Sequence, residues 1–299
     1  MSHVLEEIVS QPDCWARAVP LSRSEGRLLP VRGERVAVIG CGTSLFMGQA
    51  YAVLRESAGQ GLTDAFPASE FPRGRQYDKL LAVSRSGTTT EVLDVLDEVR
   101  GRLSTTAITA GASTPIHEHA DQVVAVEFAD EESTVQTRFA TTTLALLRAH
   151  LGHDLVPLIA DARRALDAAL PVGHEDRRQF TFLGRGWTVG LAHEAALKMR
   201  EAALAWAESY PAMEYRHGPI SISDEHGVVW SLGAAPPGLA AEVAATAALF
   251  VEPTLDPMAE LIRCQRLAVS LAVERGLDPD RPRHLSRAVI LGSNALQTP

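Results

Sequence analysis

The stretch Phe182–Pro219, FLGRGWTVGLAHEAALKMREAALAWAESYPAMEYRHGP, decides how this chain is read. The apolar run Phe180–Leu183 ends in Gly184-Arg185-Gly186, and a helical pattern follows. A buried strand feeding a glycine turn and then a helix is the repeating unit of parallel-sheet α/β folds. Glu194, Lys198 and Glu201 stand on that helix at i, i+4 and i+7. At about 100° per residue their side chains point within roughly 60° of one another. His217 follows in a Gly-Pro turn. Two acids, an amine and an imidazole so placed make a candidate acid/base site.

Working outward, the same unit recurs. Arg35–Gly40 (RVAVIG) runs into Gly40-Cys-Gly-Thr-Ser44 and a helix from about Leu45; Lys79–Ser84 (KLLAVS) runs into Arg85-Ser-Gly-Thr-Thr and a helix to about Arg100. Thr105–Thr109 and Gln122–Phe128 read as strands, and Thr141–Leu151 as a helix. One helix and a boundary fall within about Pro157–Asp176. Gly227–Leu232 is a further strand, followed by a Gly-Ala-Ala-Pro-Pro-Gly loop and a helix. The last long helix, Asp256–Gly276, turns Met258, Leu261, Ile262, Leu267 and Val269 to the core, and the residues after Gly292 read as an unstructured tail. The expectation is an α/β protein of two domains, 30–155 and 175–299, each a mostly parallel sheet flanked by helices.

Composition narrows the function. A formal charge of −9 disfavours a general nucleic-acid binder, which needs a concentrated basic surface. Cys14, Cys41 and Cys264 are odd in number and far apart, which argues against a disulfide framework or a cysteine-rich zinc site and fits a reduced, cytoplasmic setting. No signal peptide is visible, and no apolar run approaches the roughly 20 residues of a membrane span. His117 and His119 are spaced HxH without a third ligand, so no metal is expected. Lys79 and Lys198 are the only lysines. An arginine stays charged where a lysine can act as a neutral amine, which gives Lys198 weight.

The two loops at 40–44 and 84–89 sit between strand ends and helix starts. Their glycines let backbone N–H groups approach an anion, and their hydroxyls add donors. Either loop alone could simply cap its helix. Two of them at successive strand ends of one sheet point to a ligand, and without a P-loop lysine a phosphomonoester suits them better than a triphosphate.

At this point CGTS (Cys41–Ser44), SRSGTTT (Ser84–Thr90), FLGRG…HEAALKMRE (Phe182–Glu201), EYRHGP (Glu214–Pro219) and DPDRPRHLSRAVIL (Asp278–Leu291) resemble, in order, the motifs of the sugar isomerase (SIS) domain family. The chain looks like a tandem pair of SIS domains, similar to the isomerase half of glucosamine-6-phosphate synthase and to related phosphosugar isomerases and deaminases. The resemblance implies that Gly42, Thr43, Ser44, Ser84, Ser86 and Thr89 hold a sugar phosphate, with Arg85 replacing a residue that is often glutamine. It implies that Glu201 moves the proton between C1 and C2, and that Glu194 and Lys198 support it. It also implies that His217 assists ring opening at the neighbouring subunit's site in a homodimer, and that no cofactor is used. Arg287 stands where the synthases carry a lysine that forms a Schiff base, and a guanidinium will not form that imine at neutral pH.

Three readings follow. The first is an aldose–ketose isomerase or deaminase acting on a hexosamine 6-phosphate by proton abstraction at C2. The second is a lyase that removes the same proton from an N-acetylhexosamine 6-phosphate and expels the C3 hydroxyl. The third is a non-catalytic phosphosugar sensor.

Overall fold

The structure, a computed structural model, describes residues 2–171, 173 and 176–292. Helices α1 (His3–Val9) and α2 (Gln11–Ser24) precede a first unit. That unit contains β1 (Val36–Gly40), α3 (Thr43–Ser57), β2 (Thr63–Pro67), β3 (Lys79–Val83), α4 (Thr90–Val99), β4 (Ser104–Thr109), α5 (Ile116–His119), β5 (Gln122–Ala125) and α6 (Arg138–His150). Helix α7 (Val156–Asp167) leads to a second unit of β6 (Gln179–Gly184), α8 (Thr188–Ala203), β7 (Trp206–Pro211), β8 (Gly227–Leu232), α9 (Leu239–Ala244), β9 (Leu249–Val251) and α10 (Pro257–Glu274). The sheet orders are β2-β1-β3-β4-β5 and β7-β6-β8-β9, with every strand pair parallel. The α/β class expected from the sequence is therefore present as two parallel sheets flanked by helices.

Alternation along the strands builds the layers. Val36 and Val38 of β1 face one core while Ala37 and Ile39 face another with Val92 and Leu96 of α4. In β6, Phe180 and Phe182 face the first core, where Phe182 stacks on Trp230 with ring centroids 6.4 Å apart. Leu183 turns to a third core with Val229, Leu239 and Val243. The first core is shared: side chains of α1, α2, α3, α6, α8 and α10 fill the space between the two sheets. Trp15 of α2 is fully buried there and donates from Nε1 to Thr141 Oγ1 at 3.0 Å.

Three strands, β2, β7 and β9, went unrecognised in the sequence. All three lie at sheet edges: β2 and β7 mix polar with apolar residues because only part of their side-chain row is covered, and β9 is apolar but only three residues long. Pro67 and Pro211 end two of them, as edges tolerate. Strand β5 stops at Ala125 rather than Phe128 because Glu127–Ala129 tightens into a 3-10 turn. The expected unstructured tail after Gly292 lies outside the described residues.

In both sheets the chain order reverses between the first and third strands, β1 with β3 and β6 with β8. A crevice opens at such a reversal, beyond the carboxyl ends of the strands. After α10 the chain returns to the first unit. The Asp280 carboxylate accepts from the backbone N–H groups of His3 and Val4 at 2.9 and 2.7 Å, and Leu291 N donates to Thr90 Oγ1 at 2.9 Å.

Candidate active site

A cleft of about 220 Å³ opens at the β1/β3 reversal. It holds roughly seven water volumes, the scale of a small metabolite. The loop after β1 supplies Gly42, Thr43 and Ser44, and the loop after β3 supplies Ser84, Arg85, Ser86 and Thr89. Gly42 has φ 54° and ψ −124°, a turn that a side chain would resist, and it starts α3 directly behind the strand. Neither α3 nor α4 has a side chain capping its N-terminus; Ser44 N donates instead to the Cys41 carbonyl and Thr90 N to the Val289 carbonyl of the C-terminal tail, both at 3.2 Å. Within the second loop, Gly87 N donates to Ser84 Oγ and Thr88 N to Ser86 Oγ, both at 3.2 Å, which fixes its curvature.

The opposite wall is Glu201 of α8. Helix α8 packs unusually close to α3 because Gly190 lies at the crossing; a Cβ there would stand 2.4 Å from the Phe46 carbonyl oxygen and 3.0 Å from Ala50 N. That approach lets Lys198 Nζ donate to Thr43 Oγ1 at 3.1 Å and to Glu201 Oε2, while Glu194 Oε1 lies 3.4 Å away. Glu194 and Lys198 are each 1% exposed at the side chain, and Glu201 is 17% exposed. The pair is therefore no surface i,i+4 bridge.

Burial pushes the Glu194 carboxyl up to about 8, with Lys198 opposing and Glu201 reinforcing the shift, so Glu194 carries a proton at neutral pH. Neither of its oxygens makes a well-aligned hydrogen bond; the Lys198 ammonium at 3.4 Å and the Thr43 hydroxyl are the polar groups beside it. Burial works against the Lys198 ammonium, but Glu194 and Glu201 outweigh it and hold its pKa above the ordinary lysine value. The charged pair is then Lys198 with Glu201, and of the two acids only Glu201 reaches the cleft.

Arg85 lines the cleft, but its guanidinium is tied behind it. It pairs with Glu131 at 3.4 Å, both side chains almost wholly buried, and donates to the carbonyls of Ser133 at 3.0 Å, Thr134 at 3.3 Å and Arg287 at 2.9 Å. Arg85 thus fastens the C-terminal tail, whose Leu285–Val289 segment forms part of the cleft wall. Arg287 lines the cleft as well, while its guanidinium binds the Asp130 carboxylate and the Glu131 carbonyl.

His217 does not join this group. It lies in the 3-10 turn Glu214–His217, exposed, and is not among the residues lining the cleft. His117 Nε2 contacts the Gly111 carbonyl at 2.8 Å and His119 Nδ1 pairs with Asp97 at 2.9 Å. Among the described residues no group of three His, Cys, Asp or Glu side chains could hold a metal, and no helix is long and apolar enough to cross a membrane. Lys79 is structural: buried, it donates to the Leu28 carbonyl at 2.9 Å. Thr134, Gln136 and Ser286 line the cleft and were missed in the sequence. The run Ser133–Thr137 before α6 has the same hydroxyl-rich character as the two recognised loops and could have revealed the first two.

The SIS domain profile matches residues 31–151, the first unit. Over 96% of this chain the sequence is 29% identical to a glutamine--fructose-6-phosphate aminotransferase [isomerizing] of Thermus thermophilus and 27% identical to one of Pyrobaculum aerophilum. The chain spans 58% and 57% of the length of those two relatives. Among solved structures, glucosamine-6-phosphate deaminase from Thermotoga maritima superposes with a TM-score of 0.84 at 24% identity, covering 97% of this chain and 100% of that one. Tagatose-6-phosphate ketose/aldose isomerase from Escherichia coli gives 0.76 at 19% identity, with 96% of each chain covered. These two likenesses are of fold. The profile covers the first sheet, and the second parallel sheet, expected as its twin, lies outside the match. Residues 31–151 thus match the SIS domain profile, and over nearly its whole length the chain is similar in sequence to glutamine--fructose-6-phosphate aminotransferases [isomerizing], of which it spans just over half.

Proposed function

We propose that the protein is a phosphosugar enzyme that binds a hexosamine 6-phosphate and abstracts its C2 proton with Glu201, as an aldose–ketose isomerase or deaminase. One observation carries this: a single cleft joins two helix N-termini, rich in hydroxyls and without side-chain caps, to one partly exposed carboxylate held by a buried ammonium. The 40–44 and 84–89 loops hold the phosphate. Glu201 takes the C2 proton of the open-chain sugar and returns it at C1, and Thr134 and Gln136 meet the sugar hydroxyls; Gln136 Oε1 has no partner of its own. In the deaminase version, water adds to the C2 imine formed after isomerisation and ammonia leaves. His217, exposed and outside its own cleft, serves the cleft of a second copy in a homodimer. The strand order of the second sheet, matching the first, supports reading 175–299 as a diverged SIS-type domain beside 30–155.

Arg287 favours a second reading. Its guanidinium cannot form an imine and is held by Asp130, so chemistry that needs no imine is open to the site: loss of water from an N-acetylhexosamine 6-phosphate by removal of the C2 proton and departure of the C3 hydroxyl. Incubation with glucosamine 6-phosphate and with its N-acetyl form, followed by mass spectrometry, separates the readings. Unchanged mass with the C2 imine as product means isomerisation alone, a ketose with released ammonia means deamination, and loss of water means elimination. Glu201→Gln should abolish turnover while phosphosugar binding survives. Full activity in that variant would remove Glu201 as the base, and binding without any turnover in the parent protein would leave a sensor.

A further inference from the structure

A second cavity, of about 430 Å³, lies at the other end of the first sheet. Its wall comes from the segments that enter three neighbouring strands: Arg35 before β1, Arg73 to Tyr77 before β3, and Arg102 before β4. The cleft sits at the carboxyl ends of β1 and β3, so the two sites share no residue. Four arginines, Arg35, Arg73, Arg75 and Arg102, line this cavity over a floor that includes Phe71 and Tyr77, and no acidic residue lines it. On a chain with a formal charge of −9, such a concentration of one sign calls for an anion.

The carboxylates that balance these arginines stand outside the lining and show what the guanidinium groups can grip. Glu98 on α4 is held by Arg73 at 2.8 Å and lies 3.8 Å from Arg102, so two guanidinium groups converge on one anion. Arg35 makes a two-pronged contact with Asp78, at 3.1 and 2.7 Å, and Arg75 reaches Asp64 at 3.5 Å. Three acids thus face four arginines, leaving one positive charge uncompensated. The arginine side chains are 45–66% exposed, and ion pairs so exposed are worth about 0–1 kcal/mol, so an incoming anion displaces them easily. A phosphate carries more charge than a carboxylate and matches the guanidinium fork.

We infer that this cavity is a second binding site, for a small polyphosphate whose phosphate groups bridge Arg73 and Arg102 on one side and Arg35 and Arg75 on the other. Inorganic pyrophosphate is the probe, titrated calorimetrically into the full chain with orthophosphate for comparison. Because the cleft can also take phosphate, two variants separate the sites: Arg73→Gln/Arg102→Gln and Ser84→Ala/Ser86→Ala. The expected result is two classes of pyrophosphate site. One weakens by about tenfold or more only in the arginine variant, as loss of charge-assisted hydrogen bonds requires, falls with added salt, and discriminates against orthophosphate. The other responds only to the serine variant. Both arginines are exposed, so the unliganded variant should melt with the parent protein. A single class of site that disappears with the serine substitutions and ignores the arginine substitutions overturns the inference and leaves the reading of the cleft intact. Absence of any pyrophosphate binding also overturns it.

Discussion

Glu194→Gln tests the charge state at the centre of the site through stability alone. The folded protein holds the Glu194 proton up to about pH 8, against an ordinary value of 4.5. The sign follows from linkage. A raised acid binds more protons folded than unfolded, so its contribution to stability is fully present below pH 4.5 and is lost as pH rises towards 8. Each unit of that interval is worth about 1.4 kcal/mol, and between pH 6 and pH 9 the carboxyl gives up roughly 2–3 kcal/mol. With the side chain 1% exposed, solvent screening does not reduce this figure. Lys198 keeps its charge throughout: Glu201, joined by Glu194 once that acid ionises, holds it above the ordinary lysine value against the cost of burial. Glutamine has the same shape and does not titrate. Urea unfolding of both proteins at pH 6, 7, 8 and 9 should therefore show the variant gaining roughly 2–3 kcal/mol on the parent across the series. Stability curves that run parallel within about 0.5 kcal/mol would refute a buried, protonated Glu194.

Two further substitutions address what holds the cleft together. Arg85→Ala strands the buried Glu131 carboxylate and releases the carbonyl of Arg287; it should cost about 3–5 kcal/mol in chemical denaturation and speed amide exchange in residues 285–291. Gly190→Ala puts a methyl 2.4 Å from the Phe46 carbonyl oxygen. The helices must part, so stability should fall by about 1–3 kcal/mol, and the Lys198–Thr43 bond should loosen with a loss of turnover on whichever phosphosugar is converted.

The parts of the fold that the sequence revealed are those that water does not touch. Strands β1, β3 and β8 are buried along their whole length and stand out as unbroken apolar runs ending in glycine or serine loops. The edge strands β2 and β7 carry residues such as Asp64, Glu208 and Ser209 because one flank is open, and their apolar signal dissolves, while β9, Leu249–Val251, is too short to stand out. The two cleft loops were legible because glycine and hydroxyl residues fall together at strand ends. Arg85 was legible as a cation within the second hydroxyl-rich loop but not as the anchor of a tail two hundred residues away, since its partners Glu131, Ser133 and Arg287 meet only in the folded chain. The helical spacing likewise placed Glu194, Lys198 and Glu201 on one face. It could not say which acid would be sealed in, because that depends on how closely α8 packs on α3.

That packing separates two carboxylates of the same chemistry into different roles. Both lie within reach of one ammonium, at positions seven residues apart on one helix. Two ionised carboxylates beside a single ammonium would leave a net negative charge beside the cleft, against the phosphate that the proposed function places there. Complete burial removes one of those charges by keeping Glu194 protonated. Lys198 is then free to neutralise Glu201 and, through Thr43 Oγ1, to lend positive charge to the N-terminus of α3, where an anion would bind. Reversing the roles would fail on geometry, since Glu194 has no path to the cleft. Removing Lys198 would leave the Glu201 carboxylate without its buried counter-charge at the cleft wall, so under the proposed function Lys198→Met should weaken phosphosugar binding.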